Sequence, residues 1–153
     1  MTIANWAWSE RLNTRYEPMD ETHKEFVSLC AALIENHPPS FLARLDALIE
    51  HTVIHFDQEN TWMHDHDYPP AGCHHREHDA VLQLMREVRA SVDAGDVELG
   101  PRLAEELPFW FEHHVDSMDN MLARFMTGVS ADIAATANTG SIDTSQSCAQ
   151  LSS

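Results

Sequence analysis

Positive charge is scarce in this chain. Nine lysines and arginines stand against 25 aspartates and glutamates, a formal net charge of −16. Such a surface repels nucleic acid and anionic membranes, so neither is expected as a partner. Cysteine is scarcer still: Cys30, Cys73 and Cys148 are odd in number and form no CxxC, which argues against a disulfide framework or a zinc ribbon. No apolar run approaches the roughly 20 residues that span a bilayer. The start, MTIANWAWSER, lacks the basic opening and long apolar stretch of a signal peptide. The expectation is a cytoplasmic protein without membrane insertion. Clean alternation of apolar and polar residues is missing too, so strands find little support.

Histidine, by contrast, is plentiful, with 11 copies in 153 residues. With so little thiol, a metal site here has to be built from imidazole and carboxylate. That chemistry suits iron, manganese, copper or zinc. The densest stretch is GCHHREHD, residues 72–79, which offers three imidazoles and a thiol within six positions.

Prolines and glycines at Pro18, Pro38-Pro39, Pro69-Pro70, Gly95 and Gly100-Pro101 divide the chain into four segments of helical length. Each carries one apolar stripe with spacings of three and four. The first, after a candidate N-cap at Asp20, reads His23, Phe26, Cys30, Leu33. The second, from near Ser40, reads Phe41, Leu45, Leu48, Thr52, His55, Glu59, Trp62. The third, after Pro70, reads His74, His78, Val81, Met85, Val88, Val92. The fourth reads Leu103, Leu107, Trp110, His114, Met118, Met121, Phe125. The expected architecture is all-α: an antiparallel up-down four-helix bundle over residues 1–126. An N-terminal arm with Trp6 and Trp8 packs on the bundle. Residues 127–153, without Lys or Arg and rich in Ser, Thr, Ala and Asn, read as a flexible tail.

Every stripe places histidine where an apolar residue belongs, and the second adds Glu59. A single core histidine needs only a hydrogen bond. Five of them and a glutamate facing one interior, with no buried cation as partner, are most simply satisfied by metal. His55 and Glu59 are i, i+4, as are His74 and His78, so each pair reaches one centre. The stripe also separates neighbours: His74 and His114 face inward, His75 and His113 outward. His37, His64, His66, His75 and His113 read as solvated, His51 as an outer partner for His55, and Cys73 as a bystander. A second carboxylate is left open by periodicity. Asp119 lies five residues after His114, about 140° around an ideal helix, and spacing alone suggests His113 with Asp116 instead.

The segments DETHKEF, HFDQENTWMHDHDYP, HHREH and WFEHHVDSMD, in this order over roughly residues 6–126, resemble the hemerythrin family, its single-domain bacterial members in particular. The resemblance implies a non-haem di-iron site held by His23, His55, Glu59, His74, His78, His114 and Asp119. It implies two iron ions (Fe2+/Fe3+) joined by an oxo or hydroxo group and by both carboxylates. His74, His78 and His114 would fill one iron. His23 and His55 would leave one position of the other open for O2. Asp119 enters on the resemblance alone; a π-bulge is one way to turn it inward with His114. Trp110, Phe111, Trp62, Phe56 and Met63 are candidates for the O2 pocket wall, and Phe111 stands where the family often has an aliphatic residue.

The function so implied is reversible O2 binding by a non-enzymatic carrier, store or supply, with an oxygen-using enzyme or a signalling protein as possible partner. An oxygen or redox sensor is the alternative, and a di-iron enzyme a weaker one. Ferritin-like sites use Glu-x-x-His pairs, and none of the 11 histidines has Glu three residues before it.

Overall fold

Each of the four stripes becomes the buried face of a helix. The computed structural model describes residues 5–35 and 40–135. Among them are a short 3-10 turn (Glu10–Leu12) and the helices α1 (Glu17–Ile34), α2 (Phe41–Asp65) and α3 (Ala71–Asp93). A fourth long helix follows in two halves, α4 (Leu99–His114) and α5 (Asn120–Ala135), joined by a π-helical turn at Val115–Asp119. α1 and α3 each pack against α2 and α4. The short connections force neighbouring helices to run antiparallel, as the sequence predicts. No helix among the described residues is long and apolar enough to cross a membrane.

The helix ends follow from local chemistry. Ser40 caps α2, its Oγ accepting the Ala43 N–H at 3.2 Å. α2 stops where Asp67 takes φ 50°, and the Tyr68 N–H reaches back to the Met63 carbonyl at 2.9 Å. α3 closes in the same manner at Gly95 (φ 112°), with Asp96 N–H on Ser91 O at 2.9 Å. Both are Schellman closures, and glycine suits the left-handed position best. α1 differs from expectation. Asp20 is not its N-cap; the helix begins three residues earlier at Glu17, with Pro18 in its first turn. Pro18 needs no N–H there. The Asp20 carboxylate instead accepts from Thr14 N and Thr14 Oγ1, both at 2.8 Å, and folds the arm onto α1. The arm packs as expected. Trp6 lies edge-on to Phe111 with ring centroids 6.2 Å apart, its Nε1 donates to Glu112 at 3.0 Å, and Arg11 pairs with Glu112 and Asp116.

One apolar cluster, including Phe26, Leu45, Leu48, Phe56, Met85, Leu107 and Phe111, fills the bundle to one side of the histidines. A smaller one of Met19, Met63, Tyr68, Leu122, Ala123 and Met126 fills the other. Gly100 lets the start of α4 close on α2, because an added Cβ would stand 2.7 Å from the Phe41 ring. Pro108 is buried inside α4.

The fourth stripe breaks at the π turn. Before it, Leu103, Leu107 and His114 are buried as expected, although Phe111 rather than Trp110 is the fully buried aromatic. Beyond it the buried residues are Met118, Asp119, Leu122, Ala123 and Met126, while Met121 and Phe125 are only partly buried. A π turn closes i→i+5 instead of i→i+4, so it takes up one extra residue and displaces the inward face by one position. The helix also continues past residue 126 to Ala135. Residues 127–135 are largely exposed, so they show no stripe; their alanines extend a helix that is already nucleated. Residues 136–153 of the expected tail, and His37, lie outside the described residues.

The displaced register makes a direct prediction for the metal-free protein. Leu122→Ala should cost about 2–5 kcal/mol in urea unfolding, as buried leucine truncations do, and Met121→Ala well under half as much. The uninterrupted stripe demands the reverse order.

Candidate metal centre

Four helices contribute to one polar knot in the middle of this apolar interior. α1 supplies His23, α2 supplies His55 and Glu59, and α3 supplies His74 and His78. α4 ends on His114, and the π turn ends on Asp119. All seven side chains are buried, none more than 1% exposed as a residue.

The two carboxylates sort the histidines into two groups. Glu59 Oε2 lies 2.8 Å from His55 Nε2 and 3.4 Å from His23 Nε2, while its Oε1 lies 3.2 Å from both His74 and His78 Nε2. Asp119 Oδ2 faces His23 Nε2 at 3.2 Å, and its Oδ1 faces His74 and His114 Nε2 at 3.0 and 3.1 Å. Each carboxylate therefore offers one oxygen to a two-histidine group and the other to a three-histidine group. The atoms of His74, His78, His114, Glu59 and Asp119 converge within 4.8 Å of one another, and those of His23, His55 and Glu59 do the same.

This arrangement fits metal ions better than hydrogen bonds. His78 and His114 turn their Nδ1 atoms to acceptors, Asn60 Oδ1 at 3.2 Å and Glu77 Oε1 at 3.0 Å. In neutral rings with protons on Nδ1, the two Nε2 atoms that face each other at 3.3 Å would both be bare. Two lone pairs at that distance repel unless a cation lies between them. His74 Nε2, Glu59 Oε1 and both Asp119 oxygens are buried and close to partners, yet none is aligned for a hydrogen bond. Five imidazoles and two carboxylates suit a first-row transition metal.

Charge shows the same strain. Burial pushes His23 down, but the Asp119 and Glu59 carboxylates outweigh it and lift its pKa to about 9. Burial acts likewise on His114, and Asp119, Glu77 and Glu59 lift it to about 10. His78, by contrast, is depressed by burial to about 4. Burial raises Glu59 and Asp119, yet the surrounding histidines hold both well below the usual carboxylate range. In the metal-free chain, protons on His23 and His114 supply the positive charge that the carboxylates demand.

Comparison with known proteins agrees with this geometry. The family model described as the hemerythrin HHE cation binding domain matches residues 14–126. The chain belongs to the hemerythrin family. It is 45% identical over 119 residues to a bacteriohemerythrin of Ralstonia nicotianae, covering 78% of this chain and 87% of that one. A bacteriohemerythrin of Methylococcus capsulatus is 24% identical over 125 residues (79% and 95%). Myohemerythrin of Sipunculus nudus is 27% identical over 117 residues (74% and 88%). No solved structure matches the chain.

Around this hemerythrin centre the expected pocket residues divide. Phe111 lies edge-on to His23 at 4.9 Å, beside the two-histidine group. Phe56 stacks on His78 at 3.8 Å and also meets His55 at 5.1 Å. Trp110 stacks on His114 at 4.7 Å. Trp62 instead packs edge-on against Tyr16 at 5.2 Å, and both Trp62 and Met63 belong with the smaller apolar cluster. Phe26, which the sequence assigns only to the core stripe, also faces His55 at 5.8 Å and Phe111 at 4.6 Å; its place one turn after His23 is the available signal. Asn60 and Glu77 were missed too, although each adjoins an inward residue in sequence.

Of the bystanders, His64, His75 and His113 are exposed, and His66 is half-buried. His51 packs its ring near His55 at 5.8 Å and turns Nδ1 towards Glu25 at 3.4 Å, so it gives His55 no hydrogen bond. Arg44 is the buried cation of the bundle, but it serves the Ala32 and Leu33 carbonyls at the end of α1. Cys73 offers no atom to the cluster.

Metal and proton compete for the same nitrogens. His23 and His114, with pKa values near 9 and 10, are protonated at pH 7 and must give up those protons to a metal. Titrating zinc into metal-free protein at pH 7 should release at least these two protons. The measure is calorimetry in two buffers with different heats of ionisation. Release of none would mean that the inward nitrogens do not bind the ion.

Proposed function

We propose that this chain is a non-haem di-iron protein that binds O2 reversibly, as a carrier, store or supply. His74, His78 and His114 would hold one iron and His23 and His55 the other, with Glu59 and Asp119 offering a carboxylate oxygen to each group. The observation that carries this is the division of each carboxylate between unequal histidine groups, three on one side and two on the other. Two iron ions held there, with an oxo or hydroxo group, would supply the electrons and the coordination position for O2.

The chain's own residues supply the rest. With one imidazole fewer, the His23–His55 side leaves room for a small ligand. Phe26, Phe56 and Phe111 wall that side with hydrocarbon and exclude water. Dryness favours reversible binding, because external protons promote irreversible oxidation. The Nδ1 bonds of His78 and His114 hold the other side rigid.

The test is the visible spectrum of iron-loaded protein after reduction, oxygenation and removal of oxygen. A coloured adduct that forms and disappears over repeated cycles is expected. Rapid irreversible oxidation would turn the reading towards a sensor or an enzyme, and far fewer than two irons per chain would refute it. His74→Ala should lose iron and adduct while His75→Ala keeps both. Asp119→Ala should retain less iron than Asp116→Ala.

The wall at Phe111 makes a kinetic prediction. Phe111→Leu removes a ring that touches His23, so oxygen uptake, release and irreversible oxidation should all accelerate in stopped-flow measurements. Unchanged rates would mean that O2 enters past another wall.

A further inference from the structure

The five inward histidines all aim Nε2 at the centre and Nδ1 away from it, but their outer partners are unequal. Among the described residues, Nδ1 of His23, His55 and His74 is buried without a hydrogen-bond partner. His78 Nδ1 meets a neutral amide, Asn60 Oδ1, at 3.2 Å. Only His114 Nδ1 meets a carboxylate, Glu77 Oε1 at 3.0 Å. The bond crosses from α3 to α4, and it grips the last α-helical residue before the π turn.

A carboxylate that accepts the outer N–H of an imidazole fixes the tautomer, orients the ring and makes the inner nitrogen a stronger donor. Charge assistance makes such a bond roughly twice as strong as a neutral one. Both supported histidines belong to the three-histidine group, and neither histidine of the other group is supported. We infer that Glu77 is the positioning residue of the three-histidine subsite. Its carboxylate holds His114 with Nε2 inward and strengthens it as a ligand, so metal is retained there more tightly than at the His23–His55 subsite. The inference rests on the ligand set proposed above. It gives the two subsites distinct duties: one anchors, and the other keeps a position free.

Zinc titration of the full-length, metal-free chain against a chromophoric chelator tests it, with circular dichroism to establish that each variant keeps its helices. The unsubstituted chain should bind two zinc ions in two steps. Glu77→Gln keeps an acceptor but loses the charge, and it should weaken the tighter step by about 10–100-fold, the usual cost of an altered outer partner. The weaker step should not move. In a His23→Ala background, where only the three-histidine group is whole, the same loss should persist. In a His74→Ala background, Glu77→Gln should leave zinc binding by His23 and His55 unchanged. If a histidine variant loses helix, the split between the two steps of the unsubstituted background decides. Fewer than two zinc ions in the unsubstituted chain overturns the ligand reading and this inference with it. Two zinc ions with no loss on Glu77→Gln, or with equal loss at both subsites, overturns the inference alone.

Discussion

Two buried carboxylates ringed by five imidazole nitrogens constrain everything else in this molecule. An uncompensated charge in a protein interior costs several kcal/mol, and Glu59 and Asp119 share one interior. No lysine or arginine reaches them among the described residues; the buried Arg44 is spent on backbone carbonyls at the end of α1. Protons on His23 and His114 offset part of the charge, but His74 Nε2, Glu59 Oε1 and both Asp119 oxygens stay without an aligned hydrogen bond. Cations at the same place would satisfy carboxylates and nitrogens together, so bound metal would stabilise the fold. The bundle follows from this need. A frame with a helix on each of four sides brings the seven side chains to one interior while each helix keeps an apolar face for its neighbours.

The π turn is where that need overrides regular structure. An α-helix that places His114 inward would turn Asp119 about 140° away. One extra residue in the turn brings both to the centre and carries Leu122 and Met126 into the core behind them. The same turn separates Asp116, which faces outward to Arg11 on the arm, from Asp119, which faces inward. A local departure from α-helical pitch therefore decides which aspartate joins the buried cluster and which is surface. π turns recur at functional sites for this reason.

Much of this was legible in the sequence, and the misses have physical causes. His23, His55, Glu59, His74, His78 and His114 stand at core positions of regular helices, so their spacing alone points them inward. Asp119 ends the irregular turn and Leu122 and Met126 lie beyond it, where a fixed period counts one residue short and favours Met121 and Phe125 instead. Family resemblance recovered Asp119 because it carries the position across the turn without assuming a pitch. The end of α5 was missed because an exposed alanine-rich extension has no buried face to betray it. Asn60 and Glu77 were missed because an outer hydrogen bond joins different helices, and only the assembled bundle shows which polar neighbour meets which ring. The start of α1 escaped because Asp20 has the composition of an N-cap but turns its carboxylate to Thr14 instead.

The surroundings of the two histidine groups are as unequal as their ligand counts. Both rings that carry outer hydrogen bonds are also stacked, His78 under Phe56 and His114 under Trp110. Their orientation is set by a face and an edge at once, which leaves little freedom for either nitrogen to leave a metal. His23 has neither an outer hydrogen bond nor a stacked ring; Phe111 meets it edge-on and His55 at a tilt. Outside Phe111 stands Trp6, tied by its indole N–H to Glu112 on the same helix. The arm therefore thickens the hydrocarbon wall at the side where the protein offers fewest ligands. A ligand that is small, uncharged and soluble in hydrocarbon crosses such a wall by momentary side-chain movement, whereas hydrated ions and bulk water do not. That division, a rigid and nitrogen-rich side against a loosely held side behind aromatic rings, is what separates a centre that takes up O2 from one that merely stores metal.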